Sequence, residues 1–242
     1  MRTTPKRRTR MTGLLLVALL AATTACQVVE KSTDRPVTKV LLVGDSVIGF
    51  AHPALVQQFS PYGVEVVNAT VPGTGPLYTT DGHKLWATQL EETLQTYDAD
   101  IVLFESCCHY PGGPAGSPLY VNDQGVTVQP GTELMYTEIA KANTELVNIA
   151  RAHGASPYWI KLPPTTAGSI IYGPDIAERV DRFNLLLDQL DAPILDWGAA
   201  VLAQPNATSL RHPDGIHYTD AGNAFLARWT FTQTVRVVAP GT

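Results

Sequence analysis

The sequence predicts an α/β fold, a mostly parallel five-stranded sheet with helices on both faces, from three observations. Strand-like apolar runs alternate with helix-periodic segments along the chain, the pattern that builds parallel sheets through crossover helices. The first such run ends in Gly44-Asp45-Ser46, small turn-forming residues suited to a tight strand-to-helix bend. The 242 residues are 45% hydrophobic, enough for one domain with a substantial core.

Strands are expected over 37–43, 64–68, 101–104, 157–161 and 193–196, each a short run of β-branched and apolar residues. Helices are expected over 48–59, 84–97, 132–153, 175–190 and 218–232, where apolar residues recur at helical spacing. Two Gly/Pro/Tyr-containing stretches, 110–131 and 162–173, interrupt the alternation as insertions. Tyr110, Tyr120, Trp159 and Tyr172 lie in or beside them and are candidates to contact a substrate, although aromatics are more often packing residues. Asp196, ending the fifth strand, is read as structural.

In sheets of this kind ligands bind beyond the C-terminal ends of the strands. Ser46 falls there, at the start of a helix whose free N–H groups and positive dipole end favour developing negative charge. A serine in that place is more commonly a helix cap than a nucleophile. The balance shifts with Asp214-Gly215-Ile216-His217 near the other end of the chain. An acid three residues before a histidine can hold one imidazole nitrogen while the other faces a nucleophile. This pair sits in a loop before the last helix, and loops on a rigid scaffold often carry function.

With these blocks in hand, the chain resembles the SGNH hydrolase superfamily, the GDSL esterases and lipases, over roughly residues 39–229. The resemblance implies a flavodoxin-like three-layer α/β/α sandwich and a catalytic set of Ser46, Asp214 and His217. A second block, Val66-Val67-Asn68-Ala69-Thr70-Val71-Pro72-Gly73, places the oxyanion-binding N–H of the family on Gly73, with Gly75 as the fallback. Glycine suits that role because no side chain stands between its N–H and a reacting carbonyl. The third block departs from the family pattern: the expected Gly-x-Asn-Asp is here Glu105-Ser106-Cys107-Cys108, so the asparagine position falls on Cys107. A thiol is a weak donor, and loss of one oxyanion donor costs about 2.7–4 kcal/mol of transition-state stabilisation. Asn122-Asp123 spells the missing pair but lies in a Gly/Pro-rich loop and is read as a chance match. An α/β-hydrolase arrangement is disfavoured, because the chain has no mid-sequence Gly-x-Ser-x-Gly.

Residues 1–25 read as a signal peptide. Arg2, Lys6, Arg7, Arg8 and Arg10 precede the apolar run 14–22, which is too short to span a bilayer. Cys26, after Thr23-Thr24-Ala25, resembles the lipidated cysteine of bacterial lipoproteins. Anchoring is favoured over simple cleavage and secretion, since residues 26–36 would then form a polar tether ahead of a domain over 37–236. The expected location is therefore outside the cell, on the outer face of the membrane or secreted. Without the five basic leader residues, 12 basic residues face 22 acidic ones, which argues against nucleic acid as a partner.

Three cysteines make no disulfide framework. Two buried thiols at Cys107 and Cys108 are favoured over a bond between neighbours in sequence, and a Cys107–His109 nucleophile ranks below Ser46–His217. His83, His109, His153 and His212 lack metal-ligand spacing, so neither metal nor cofactor is expected. The expected activity is hydrolysis of an O-acyl ester through an acyl-enzyme, on a cell-envelope glycan or lipid. Acyl transfer to a sugar hydroxyl and a catalytically silent envelope-binding lipoprotein are the alternatives.

Overall fold

The computed structural model describes residues 36–79, 82–107, 119–163 and 176–235. The leader, Cys26, nearly all of the tether, Cys108, His109, Tyr110, Tyr172, Arg236 and, within the two insertions, residues 110–118 and 164–173 lie outside the described residues.

Five strands form one sheet: β1 (Lys39–Gly44), β2 (Glu65–Asn68), β3 (Ile101–Glu105), β4 (Ser156–Lys161) and β5 (Ile194–Asp196). Their order is β2-β1-β3-β4-β5 and every pairing is parallel. This is the flavodoxin-like arrangement, in which the chain leaves β1 to one side for β2 and returns to the other for β3. The resulting crevice lies at the C-terminal ends of β1 and β3.

Successive side chains of a strand point to opposite faces, and both faces here are apolar. Val40, Leu42, Ile101, Leu103, Tyr158 and Ile160 enter one core with α1 (Ser46–Phe59), α5 (Trp197–Leu202) and α7 (Asp220–Thr234). Leu41, Val43, Val102, Phe104 and Trp159 enter the other with α2 (Trp86–Leu94) and α3 (Glu133–Ala152). Near-continuous hydrophobic strands are the signature of a sheet covered on both sides. A third cluster joins α3 to α4 (Ile176–Leu187) through Tyr136, Ile139 and Phe183.

Pro157 lies within β4, where a proline removes a ladder donor. Ser156 N–H donates to Asp100 O on the β3 side, and the first bond toward β5 is Trp159 N–H to Pro193 O. The missing N–H of Pro157 thus faces a stretch where β5 has not yet begun.

The expected helices are present with shifted ends, and two short ones, α5 and α6 (Ala207–Leu210), were not anticipated. Asp196 caps α5 by accepting from Ala199 N–H at 2.7 Å, which confirms it as structural. Trp159 is fully buried and stacks on Phe104 with ring centroids 5.0 Å apart, so it is a core residue and not a substrate contact.

Candidate active site

The turn after β1 assigns its two polar residues to different tasks. Asp45, not Ser46, is the N-cap of α1, its carboxylate accepting from Val47 N–H at 2.9 Å. Ser46 is the first helical residue, and its hydroxyl is left to bond His217 Nε2 at 2.8 Å. Gly44 is required at the end of the strand: a Cβ there would stand 2.6 Å from both Glu105 O and Ile48 Cγ2.

A helix start leaves four N–H groups without intrahelical partners, and here they can be accounted for one by one. Asp45 N–H goes to the Glu105 carboxyl, Val47 N–H to Asp45 Oδ1 at 2.9 Å and Ile48 N–H to Glu105 Oε2 at 3.2 Å. Ser46 N–H meets no acceptor among the described residues.

A second free N–H is brought alongside by an extension of β2. Ala69 N–H donates to Leu42 O and Val71 N–H to Gly44 O, so the chain keeps running beside β1 up to the Gly44-Asp45-Ser46 turn. There it bends at Gly73, whose φ of 75° favours glycine. Thr74 fixes the bend, accepting from Trp86 Nε1 at 2.8 Å while donating to Val71 O at 2.7 Å. Gly73 N–H has no acceptor among the described residues, whereas Gly75 N–H is committed to Tyr78 O, which removes Gly75 as the fallback.

His217 and Asp214 are held by a hairpin-like loop. Arg211 and Tyr218 form an antiparallel bridge, His212 N–H donates to His217 O, and Thr219 N–H to Leu210 O. Gly215, with φ 79°, makes the turn. Asp214 Oδ1 accepts from the N–H groups of Ile216 at 2.8 Å and His217 at 3.0 Å, and Oδ2 accepts from His217 Nδ1 at 2.7 Å. Burial pushes this carboxyl upward, but the bonds from the His217 ring and the two backbone N–H groups outweigh it and hold the pKa at about 2. A carboxylate on Nδ1 places the ring proton there and leaves the Nε2 lone pair for Ser46. The Ser46 hydroxyl proton therefore has a route to an imidazole oriented by an ionised acid.

The loop depends on a close approach behind it. A Cβ on Gly222, in the first turn of α7, would lie 2.1 Å from Leu210 O. Gly222→Ala is expected to destabilise the protein by about 1–3 kcal/mol, read as a lowered denaturation midpoint, with loss of activity at sub-denaturing temperature as the loop shifts.

Three further residues belong to this neighbourhood: Glu105, whose position at the end of the third strand already places it beside the site, and His212 and Phe50, which the sequence does not single out. His212 Nδ1 lies 2.9 Å from Asp214 Oδ2, so the acid sits between two imidazoles. Phe50, 55% exposed, lies against His217 with ring centroids 4.8 Å apart. Its spacing of four residues from Ser46 is the signal that could have found it, since such positions share a helix face.

Glu105 is the third, fully buried beside the equally buried Asp45. Burial, then the Asp45 charge and a hydrogen bond to Asp45, hold the Glu105 carboxyl well above its ordinary 4.5. Asp45 accepts from Val47 N–H and Cys107 N–H, and Glu105 Oε2 from Ile48 N–H. A group raised in the fold contributes stability that is complete below its unfolded value and is lost as pH rises through the folded one. Glu105→Gln, a neutral isostere, is therefore expected to match the parent near pH 4 and to become progressively more stable than it toward pH 8, measured as the difference in thermal midpoint.

Cys107 departs from the sequence expectation. It is disulfide-bonded, not a free thiol, and its N–H donates to Asp45 Oδ2 at 3.1 Å. It thus braces the Gly44-Asp45-Ser46 turn and has no thiol to donate. Asn122 accepts from Gln124 and Val126 N–H and shapes its own loop, in keeping with a chance match. A groove of about 1020 Å³ lies along α3 and α4, lined by Tyr136, Lys141, Arg182 and Leu186 among others, and shares no residue with the Ser46 site.

No protein-family model and no curated protein matches the sequence. Solved structures do match in fold. A candidate SGNH hydrolase from Slackia heliotrinireducens is 20% identical, with a TM-score of 0.57 over 82% of this chain and 98% of its own. A GDSL-like lipase from Bacteroides thetaiotaomicron is 11% identical, with a TM-score of 0.55 over 81% and 87%. An acetyl-xylooligosaccharide esterase from Geobacillus is 15% identical, with a TM-score of 0.53 over 84% and 98%. The fold is that of the SGNH hydrolases.

Proposed function

We propose that this chain is an SGNH-type serine esterase. The observation that carries the reading is the continuous chain Asp214–His217–Ser46, at 2.7 and 2.8 Å, together with the Ser46 and Gly73 N–H groups, which have no acceptor among the described residues. Ester-cleaving proteins with the same fold support it.

In the first half-reaction Ser46 Oγ attacks the ester carbonyl as its proton passes to His217 Nε2. The oxyanion is received by the N–H groups of Ser46 and Gly73, at the positive end of α1. The intermediate collapses, breaking the bond to the alcohol oxygen, which takes the proton from His217 Nε2. Water then attacks the acyl-enzyme by the same route in reverse, releasing the carboxylic acid and restoring Ser46. Two donors serve where three are usual, so a modest turnover number is expected.

The leader and Cys26 extend the proposal to location: an exported, lipid-anchored enzyme acting on O-acyl groups of the cell envelope. The test of the chemistry is covalent labelling by a fluorophosphonate. Labelling of the parent and none of Ser46→Ala supports the serine esterase; label retained in Ser46→Ala, or absent from the parent, overturns it.

A further inference from the structure

Phe50 is the large apolar side chain left open to solvent beside the reactive pair, and its position identifies which part of an ester it meets. It is four residues after Ser46 on α1 and so shares its helix face. Its ring is tilted 34° to the His217 imidazole, with centroids 4.8 Å apart, and the side chain is more than half exposed. The backbone beneath it is tied down, since Phe50 O accepts from Asn223 Nδ2 of α7 at 3.4 Å. Single exposed apolar side chains are common; what distinguishes this one is its place against the His217 imidazole on a backbone bonded to α7.

Resting on the serine-esterase reading, we infer that Phe50 is a platform for the alcohol portion of the substrate and selects esters whose alcohol carries a ring with an apolar face. His217 fixes the side. Its Nε2 must reach the oxygen of the departing alcohol in order to protonate it, whereas the carbonyl oxygen lies away toward the Ser46 and Gly73 N–H groups. A ring packed against His217 therefore borders the alcohol. The chemistry that fits an exposed phenyl face is a flat or ring-shaped apolar surface, given by an aryl alcohol or by the C–H face of a sugar.

The test keeps the acyl group constant and varies the alcohol. The kcat/KM of the parent, Phe50→Ala and Phe50→Leu is measured on ethyl acetate, phenyl acetate and an acetylated methyl xyloside. A second series holds the p-nitrophenyl alcohol constant and lengthens the acyl chain from acetate to octanoate. Phe50→Ala is expected to lose about fivefold to tenfold on phenyl acetate and the xyloside and no more than about twofold on ethyl acetate. Phe50→Leu should recover part of the loss, and the loss should be uniform along the acyl series.

Loss on the xyloside alone identifies a sugar as the alcohol, and loss on phenyl acetate alone an aryl group; either supports the platform. An equal loss on all three acetates would mean that Phe50 merely steadies His217, and a loss growing with acyl length would place it on the acyl side. Either result overturns the inference, as does no loss at all. Fluorophosphonate labelling of Ser46 in the same samples separates this failure from failure of the esterase reading, which would abolish labelling in the parent as well.

Discussion

Replacing Ser46 by alanine is expected to lower the kcat for p-nitrophenyl acetate by on the order of 10⁵–10⁶-fold. The expectation is sharp because the serine does so little else. Asp45 caps the helix, and the Ser46 hydroxyl makes its bond to His217, so the variant loses a nucleophile without losing a cap. Its thermal midpoint should stay within about 2 °C of the parent. Equal hydrolysis by the two proteins, measured at matched concentration with the folded state checked by circular dichroism, would remove Ser46 from the mechanism.

Asp214→Asn should cost on the order of 10⁴-fold in kcat while leaving KM nearly unchanged. The reason lies in the two oxygens of the acid. Oδ1 is claimed by the Ile216 and His217 N–H groups, so the carbonyl oxygen of an asparagine is drawn to that side. Its amide NH₂ then faces His217 Nδ1, which must become an acceptor, and the ring proton moves to Nε2, where it can no longer receive the proton of Ser46. Because the Asp214 carboxyl is held down at about 2, the parent keeps this acid ionised throughout the working range. Its stabilising contribution is present above the ordinary 3.8 and is lost only as pH falls through about 2. An Asp214→Asn enzyme with parental kcat would show that the His217 tautomer does not matter.

The fold was largely readable because each strand announces itself as a short, nearly unbroken apolar run, and a sheet covered on both faces requires that pattern. Val40 to Val43 alternate between the two cores, so every position had to be hydrophobic. The helices α5 and α6 escaped notice because at six and four residues they are too short to display a period. Ser46, Asp214 and His217 can be grouped from sequence because residue types at that spacing suggest one chemistry, and the fold brings the three side chains into one hydrogen-bonded row. The contact of Phe50 with His217 and the burial of Glu105 against Asp45 are not legible in this way, since each pair meets only when distant segments come together. The state of Cys107 was misjudged for a similar reason, since the spacing of cysteines alone does not determine whether they bond.

The loop that holds Asp214 and His217 makes acid and base a preassembled cassette, closed by short-range bonds within about ten residues of chain. Ser46 is 171 residues away in sequence, and what sets its distance to the cassette is the packing of α1 on α7, with Phe59 edge-on to Phe231 at 5.0 Å and Asn223 bonded to Phe50 O. Reactivity is in this sense geared to a helix interface: sliding one helix against the other would uncouple the hydroxyl from the imidazole while leaving both halves intact. Substitutions deep in that apolar layer, far from any substrate, would act as a throttle on rate before they acted on folding.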